Sequence, residues 1–179
     1  MPELGPVTWP PVPIRTERLV LRESEARDRA AFIDLFSSPE VGTYIGGPQP
    51  RDELLRTTPE VPGQRPGLFV VELDAAMIGM ITLDRRGADD PYPFPRDVGQ
   101  VELGYLFLPH AWGRGYASEA CAAALHWFTE ALPGEPVVLR TQTANAGAMR
   151  VAAKLGFIEV QRYHEWDAEQ WFGVRTAMA

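Results

Sequence analysis

His110-Ala111-Trp112-Gly113-Arg114-Gly115-Tyr116-Ala117-Ser118-Glu119 stands between two apolar stretches. Before it runs Val101-Glu102-Leu103-Gly104-Tyr105-Leu106-Phe107-Leu108, closed by Pro109. After it, residues 117–131 are rich in Ala, Leu and Glu, which favour helix. The stretch therefore reads as strand, glycine loop, helix. Two glycines let the backbone turn sharply and approach a ligand closely. The first helical turn presents N–H groups without intrahelical partners and the positive end of the helix dipole. A phosphate or pyrophosphate is the natural guest of such a corner.

Three kinds of loop share this outline. A P-loop needs Gly, four residues, then Gly-Lys-Ser/Thr, and no such run occurs. A dinucleotide loop needs G-x-G-x-x-G/A, but Gly113-Arg114-Gly115-Tyr116-Ala117-Ser118 ends in Ser. The acid expected about 20 positions later is also missing, since that region reads Pro136-Val137-Val138-Leu139-Arg140. The third loop has the form Arg/Gln-x-x-Gly-x-Gly/Ala and binds acetyl-CoA. His110-Ala111-Trp112-Gly113-Arg114-Gly115 resembles it, with His in the first place. Downstream, Asn145-Ala146-Gly147-Ala148-Met149-Arg150-Val151-Ala152-Ala153-Lys154-Leu155-Gly156-Phe157 resembles the second signature of the GNAT superfamily of acetyltransferases. Thr16-Glu17-Arg18-Leu19-Val20-Leu21-Arg22 is similar to the opening strand of one branch. That branch includes the enzymes that acetylate ribosomal-protein N-termini and many small-molecule acetyltransferases. The resemblance spans roughly residues 14–178, and its three matches fall in the family's order.

The resemblance implies an α/β (α+β) chain of the GNAT fold: a central, mostly antiparallel, splayed sheet flanked by helices. It implies acetyl-CoA as cofactor, coenzyme A as product, and a primary amine as acceptor, either a protein N-terminus or a small molecule. Two rival readings remain open. One is an acyl-CoA-binding module with little activity; the other, from the loop alone, is a nucleotide-dependent oxidoreductase.

The 179 residues suit one domain with a sizeable core. We expect a Pro-rich arm over residues 1–13, loosely ordered, and a single domain over 14–179. The net charge of −7 argues against a nucleic-acid binder. The single Cys121 excludes an internal disulfide and fits a reducing cytoplasm. No apolar run is long enough to span a membrane, no leader is visible, and no histidine sits in a metal-like or triad-like spacing. A monomer or a homodimer is expected.

Along the chain, residues 18–23 read as the first strand, 25–37 as an amphipathic helix capped by Ser24, and 39–45 as a second helix. Residues 50–58 form another helical turn. Residues 68–73 and 76–83 make a hairpin around Asp74-Ala75. A polar, Pro-rich loop over 85–97 precedes the central strand, 98–108. There Glu102, Gly104 and Leu106 share one face, and Gly104 suggests a bulge or a close backbone approach. Residues 137–143 form a strand, 146–155 a helix, and 157–166 with 171–178 a final hairpin.

The resemblance then distributes the chemistry. Gly113, Arg114, Gly115, Tyr116, Ala117 and Ser118 hold the pyrophosphate, while the backbone of Leu106, Phe107 and Leu108 pairs with the pantetheine arm. Asn145 bonds its amides, or alternatively caps its own helix. Glu102 is the expected general base, with a structural Glu–Arg pair as the competing reading. A backbone N–H near residues 104–106 meets the oxyanion. Tyr44, Tyr92, Phe94, Trp166 and Trp171 are expected around the acceptor. The usual leaving-group acids of the family, a Tyr or a Ser, are replaced here by Ala152 and Ala148. Tyr163 is the expected substitute.

Overall fold

The computed structural model describes residues 3–87 and 99–176; Tyr92 and Phe94 lie outside the described residues. The strands are β1 (Ile14–Arg15), β2 (Val20–Arg22), β3 (Leu68–Leu73), β4 (Ala76–Arg85), β5 (Val101–Phe107), β6 (Val137–Gln142), β7 (Ile158–Glu165) and β8 (Ala168–Arg175). The α-helices are α1 (Arg29–Ser37), α2 (Pro39–Gly42), α3 (Arg51–Thr57), α4 (Tyr116–Ala131) and α5 (Ala146–Lys154). Among the described residues the strands are hydrogen-bonded in the order β1-β2-β3-β4-β5-β6-β8-β7. β5 and β6 are parallel, whereas β1/β2, β2/β3, β6/β8 and β7/β8 are antiparallel. This is the mostly antiparallel sheet with flanking helices that the resemblance implies. By proximity the chain divides into two compact units, Trp9–Ile81 with Tyr105–Ala124, and Met1–Thr8 with Thr82–Gly104 and Leu125–Ala179.

In the first unit, the strand expected over 18–23 is split into the short hairpin β1–β2. Thr16 makes the turn: its Oγ1 accepts from the Leu19 N–H at 2.9 Å, and its own N–H donates to the Leu19 carbonyl at 2.9 Å. Arg22 then leaves β2 as a nearly buried cation. It forks onto Asp28 at 2.7 and 2.9 Å and reaches Glu72 of β3 at 2.5 Å. Such a charge survives burial only when paired and bonded this fully. Asp28 also accepts from the Glu25 N–H at 2.8 Å, so the helix start is a Glu25/Asp28 capping box. Ser24, expected as the cap, donates instead to the Pro62 carbonyl. Beyond the box, α1 buries Phe32 and Leu35 in a cluster with Val41, Leu68, Val70, Met77 and Met80. Leu106 and Leu108 pack against the same cluster. The second helix stops at Gly42 rather than at residue 45, because the chain folds back over it. The Gly47 N–H donates to the Gly42 carbonyl at 2.9 Å, and a Cβ on Gly42 would lie 2.6 Å from the Gly47 carbonyl carbon.

In the second unit, β6 contributes Val137, Val138 and Leu139 to a core shared with Leu125, Phe128, Trp171 and Phe172. At two places the structure differs from the sequence pattern. The last hairpin was expected as 157–166 and 171–178 with a four-residue gap. It turns instead on Trp166-Asp167, with φ of 51° and 56°. Those are the dihedrals of a type I′ turn, which normally advertises itself by Asn-Gly or Asp-Gly; without a glycine it was invisible. The arm was expected to be loosely ordered, yet Leu4 is only 4% exposed. Its carbonyl accepts from Arg85 Nη2 at 2.6 Å, and Arg85 also pairs with Glu135 at 2.9 Å. Among the described residues, no helix is long and apolar enough to cross a membrane.

Candidate functional site

The glycine loop belongs to the first unit. β5 ends at Phe107, and a single 3₁₀ turn, Pro109–Ala111, redirects the chain. Gly113 and Gly115 follow at φ of 76° and 81°, and α4 begins at Tyr116. An L-residue reaches that backbone region only with strain, so the two glycines are what let the loop close onto the helix. The first intrahelical bond runs from the Glu119 N–H to the Gly115 carbonyl at 3.1 Å. The earlier N–H groups of the turn have no carbonyl four residues back in the helix. Residues Trp112, Gly113, Arg114 and Gly115 are exposed, and a Cβ on Gly113 would meet nothing within 4 Å.

A side chain from the far end of the sequence braces this loop. Arg18 donates from Nη1 to the Arg114 carbonyl at 2.9 Å and from Nε to Glu119 at 2.8 Å. Its guanidinium lies 4.5 Å above the Tyr116 ring. Thr16 completes the seat of Glu119, donating to it at 2.5 Å. Burial pushes the Glu119 carboxyl up, but the bonds from Thr16 and Arg18 outweigh it and hold the group below its ordinary range. Sequence reading named the Thr16–Arg22 segment as a strand and missed this role; the unpaired signal was a Thr and an Arg flanking a turn.

On β5, Leu108 donates its N–H to Ile78 of β4 at 2.8 Å, and a Cβ on Gly79 would lie 2.6 Å from the Leu106 carbonyl. Both backbone groups therefore face β4. Successive residues of a strand bond alternately to its two sides, so Tyr105 and Phe107 address the opposite side. There the Phe107 carbonyl already accepts from the Trp112 indole at 2.8 Å. Gly104, read as a bulge or a close approach, is a place of close approach: a Cβ would lie 2.6 Å from Thr82 Oγ1.

The second unit gathers the two residues expected to move protons. Glu102 accepts from Arg140 Nε at 2.8 Å and from its Nη2 at 2.7 Å, and Arg86 stands 3.7 Å away. Register explains the meeting. Glu102 pairs with Val138, Arg140 with Phe172, and Tyr163 with Gln170, and paired or alternate residues share a sheet face. Tyr163 feels Arg140, Glu165, Glu102 and Arg86, but burial is the largest influence and pushes its phenol up to about 12. The Glu–Arg pair of the competing reading is thus present, and its arginine is Arg140, which closes the apolar run Val137-Val138-Leu139.

Asn145 caps α5, accepting from the Ala148 N–H at 3.1 Å. Ala152 is buried and Ala148 half-buried. Trp171 is buried, its indole lying over Gly173, where a Cβ would come within 2.1 Å of it. Trp166 is exposed at the hairpin tip, and Tyr44 is exposed in the turn after α2.

Comparison with known proteins agrees with the fold. The chain is 28% identical over 163 residues to the uncharacterized protein YkkB of Bacillus subtilis, covering 85% of this chain and 88% of that one. It superposes on an acetyltransferase (GNAT family) from Bacillus anthracis with a TM-score of 0.73 at 21% identity, covering 92% of this chain and 98% of that one. Mycobacterium smegmatis RimJ, solved in complex with CoA-disulfide, gives a TM-score of 0.67 at 19% identity, with 94% and 88% covered. The family model described as an acetyltransferase (GNAT) domain matches residues 18–158, from the arginine that braces the glycine loop to the first residue of β7, and the chain belongs to that family.

Proposed function

We propose that this chain is an acetyl-CoA-dependent N-acetyltransferase acting on a primary amine by direct attack. The observation that carries the reading is the loop at Gly113 and Gly115, with two left-handed glycines opening onto the start of α4 in a chain of this family. The cradle fits a pyrophosphate: it is exposed, no Cβ fills it, and a guanidinium stands beside it. Gly113, Arg114, Gly115, Tyr116, Ala117 and Ser118 would hold the phosphates through backbone N–H groups and dipole. Tyr105 and Phe107 present the backbone side that a pantetheine arm could pair with; Leu106 and Leu108 line it with side chains. Asn145, its Oδ1 used as a cap, retains its NH2 donors for an amide carbonyl. The thioester supplies an activated acetyl group.

Glu102 is the proposed general base. Its carboxylate is bidentate on Arg140, so it takes a proton, directly or through water, only by loosening one guanidinium bond. Tyr163 is the proposed acid: with its phenol pushed up to about 12, it is protonated at neutral pH and has a proton to give. A backbone N–H facing away from β4, such as that of Tyr105, is the proposed donor to the carbonyl oxygen. Tyr44 and Trp166 are exposed enough to meet an acceptor, and an aromatic face would hold an ammonium by charge. The proposed place of action is the cytoplasm, where the single buried thiol Cys121 stays reduced.

A second reading is favoured by the same ion pair. A base held by two cations, with Ala148 and Ala152 in the acid positions, would suit an acyl-CoA-binding module of little activity. The experiment has two arms. Coenzyme A should raise the melting temperature by mass action, and acetyl-CoA with a panel of peptide, polyamine and antibiotic amines should release free thiol. Stabilisation without thiol release from any amine selects the module; absence of both removes the cofactor assignment.

A further inference from the structure

Arg18 lies 96 residues before Arg114, outside both glycine-loop and α5 signatures, yet it bonds the Arg114 carbonyl and Glu119 and lies over the Tyr116 ring. Its Nε is committed to Glu119 and its Nη1 to the Arg114 carbonyl. Its Nη2 is the remaining arm, and it lies 3.4 Å from where a Cβ of Gly115 would be, beside the turn that opens α4. The side chain is 40% exposed, so the arm is reachable from solvent. The electrostatics also require it. Glu119 places a carboxylate in the first turn of the helix whose positive end is to receive an anion. Unpaired, that carboxylate would repel a phosphate; bonded to Arg18 and Thr16, it is neutralised and becomes a strut.

We infer that Arg18 is a binding and positioning residue for the cofactor's pyrophosphate: it holds the glycine loop by the Arg114 carbonyl, cancels the charge of Glu119, and presents Nη2 to a phosphate oxygen. This rests on the proposed reading of the loop as a phosphate cradle. A planar fork suits three simultaneous partners in a way an ammonium does not. The prediction is therefore specific to ligands that carry phosphate.

The test is titration of wild type, Arg18→Met and Arg18→Lys with coenzyme A, 3′-dephospho-coenzyme A and pantetheine, using ligand-observed NMR for the weakest pairs. Charge-assisted bonds of this kind set the expected scale. Arg18→Met should weaken coenzyme A and its dephospho form by about 10- to 100-fold each and pantetheine by less than about twofold. Arg18→Lys should lie between, because it keeps the charge and loses the fork; it carries the test alone if Arg18→Met does not fold by circular dichroism. Equal loss for all three ligands would make Arg18 a structural brace only. Loss confined to coenzyme A would assign it to the 3′-phosphate, and no loss would turn it away from the ligand; each of these outcomes overturns the inference. Failure of the wild type to bind coenzyme A would instead remove the cradle itself.

Discussion

Glu102 shows how one side chain can serve two opposed demands. Its two oxygens are occupied by Arg140, and Arg86, with a side chain only 3% exposed, leans on the same carboxylate. Glu102→Gln keeps the shape and removes the charge. It should cut turnover by roughly 10- to 1000-fold if Glu102 is the base. It should also cost about 1–3 kcal/mol of stability, because two guanidiniums lose their counter-charge. Denaturant midpoint and steady-state rate separate the two effects: lost stability at wild-type turnover between pH 6 and 9 would leave Glu102 with a structural role alone. Tyr163 supplies the companion test. Tyr163→Phe should slow turnover while Ala148→Ser leaves it unchanged, since a neutral phenol already donates. An accelerated Ala148→Ser variant beside an unaffected Tyr163→Phe would move the acid to α5. From sequence, Glu102 and Tyr163 could each be named and a Glu–Arg pair weighed, but not which arginine makes it. That depends on β6 lying parallel to β5 in a register that sets Arg140 beside Glu102, and no local pattern encodes a pairing across 38 residues.

At the scale of elements, the strand–loop–helix corner is legible because glycine chemistry is local, and so is α5, which ends at Lys154 and is followed by Gly156 with φ of 84°. Gly115→Asp should abolish the thermal shift caused by coenzyme A. It strains a backbone at φ of 81° and sets a second carboxylate beside Arg18. An undiminished shift in differential scanning fluorimetry would refute the loop assignment. The turns show the opposite case. Asp74-Ala75, with φ of 49° and 65°, and Trp166-Asp167 bend their hairpins without any glycine. The first was found because it parts two plainly apolar runs, and the second was missed because polar β7 and the start of β8 show no such contrast. Relieving the strain of a left-handed Ala should stabilise the first turn. Ala75→Gly, at an exposed position, is expected to gain roughly 0.5–1 kcal/mol, net of the added chain entropy. A lower melting temperature in the variant would mean that the Ala75 carbonyl, which accepts from Arg27 at 2.7 Å, depends on the Ala geometry more than the turn suffers from it.

For the whole molecule, composition located the family's size and charge class, and the three ordered motifs located the fold. Neither could show that the buried Arg22 is paired with Asp28 and Glu72, and pairs of this kind decide how stability follows pH in acid. On the acid side, Asp28 and Glu72 are held below their ordinary values. Burial opposes this for Asp28, but the Arg22 bond and the Glu25 N–H prevail; for Glu72 the Arg22 bond leads. A carboxyl depressed in the folded state contributes stability that is present above its unfolded pKa and is lost as pH falls. The acid limb should therefore begin near pH 4.5, the ordinary value for Glu, and steepen below 3.8, that for Asp. On the alkaline side, burial raises Cys121 above its ordinary 9.0, and Tyr105 and Tyr163 above 10.0. These groups are neutral when protonated, and the unfolded chain loses their protons first. Stability is therefore full below pH 9 and falls as pH rises through the gap between unfolded and folded values. The thiol ionises earliest in the unfolded chain, so it sets the onset. Cys121→Ala removes it at the cost of a small buried cavity and should move the start of the alkaline decline from about pH 9 to about pH 10, where the phenols take over. Denaturant midpoints of wild type and variant between pH 4 and 11 measure both limbs. Superimposable alkaline limbs, after subtracting the constant offset of the cavity, would show that burial of Cys121 does not govern the onset and that the tyrosines alone do.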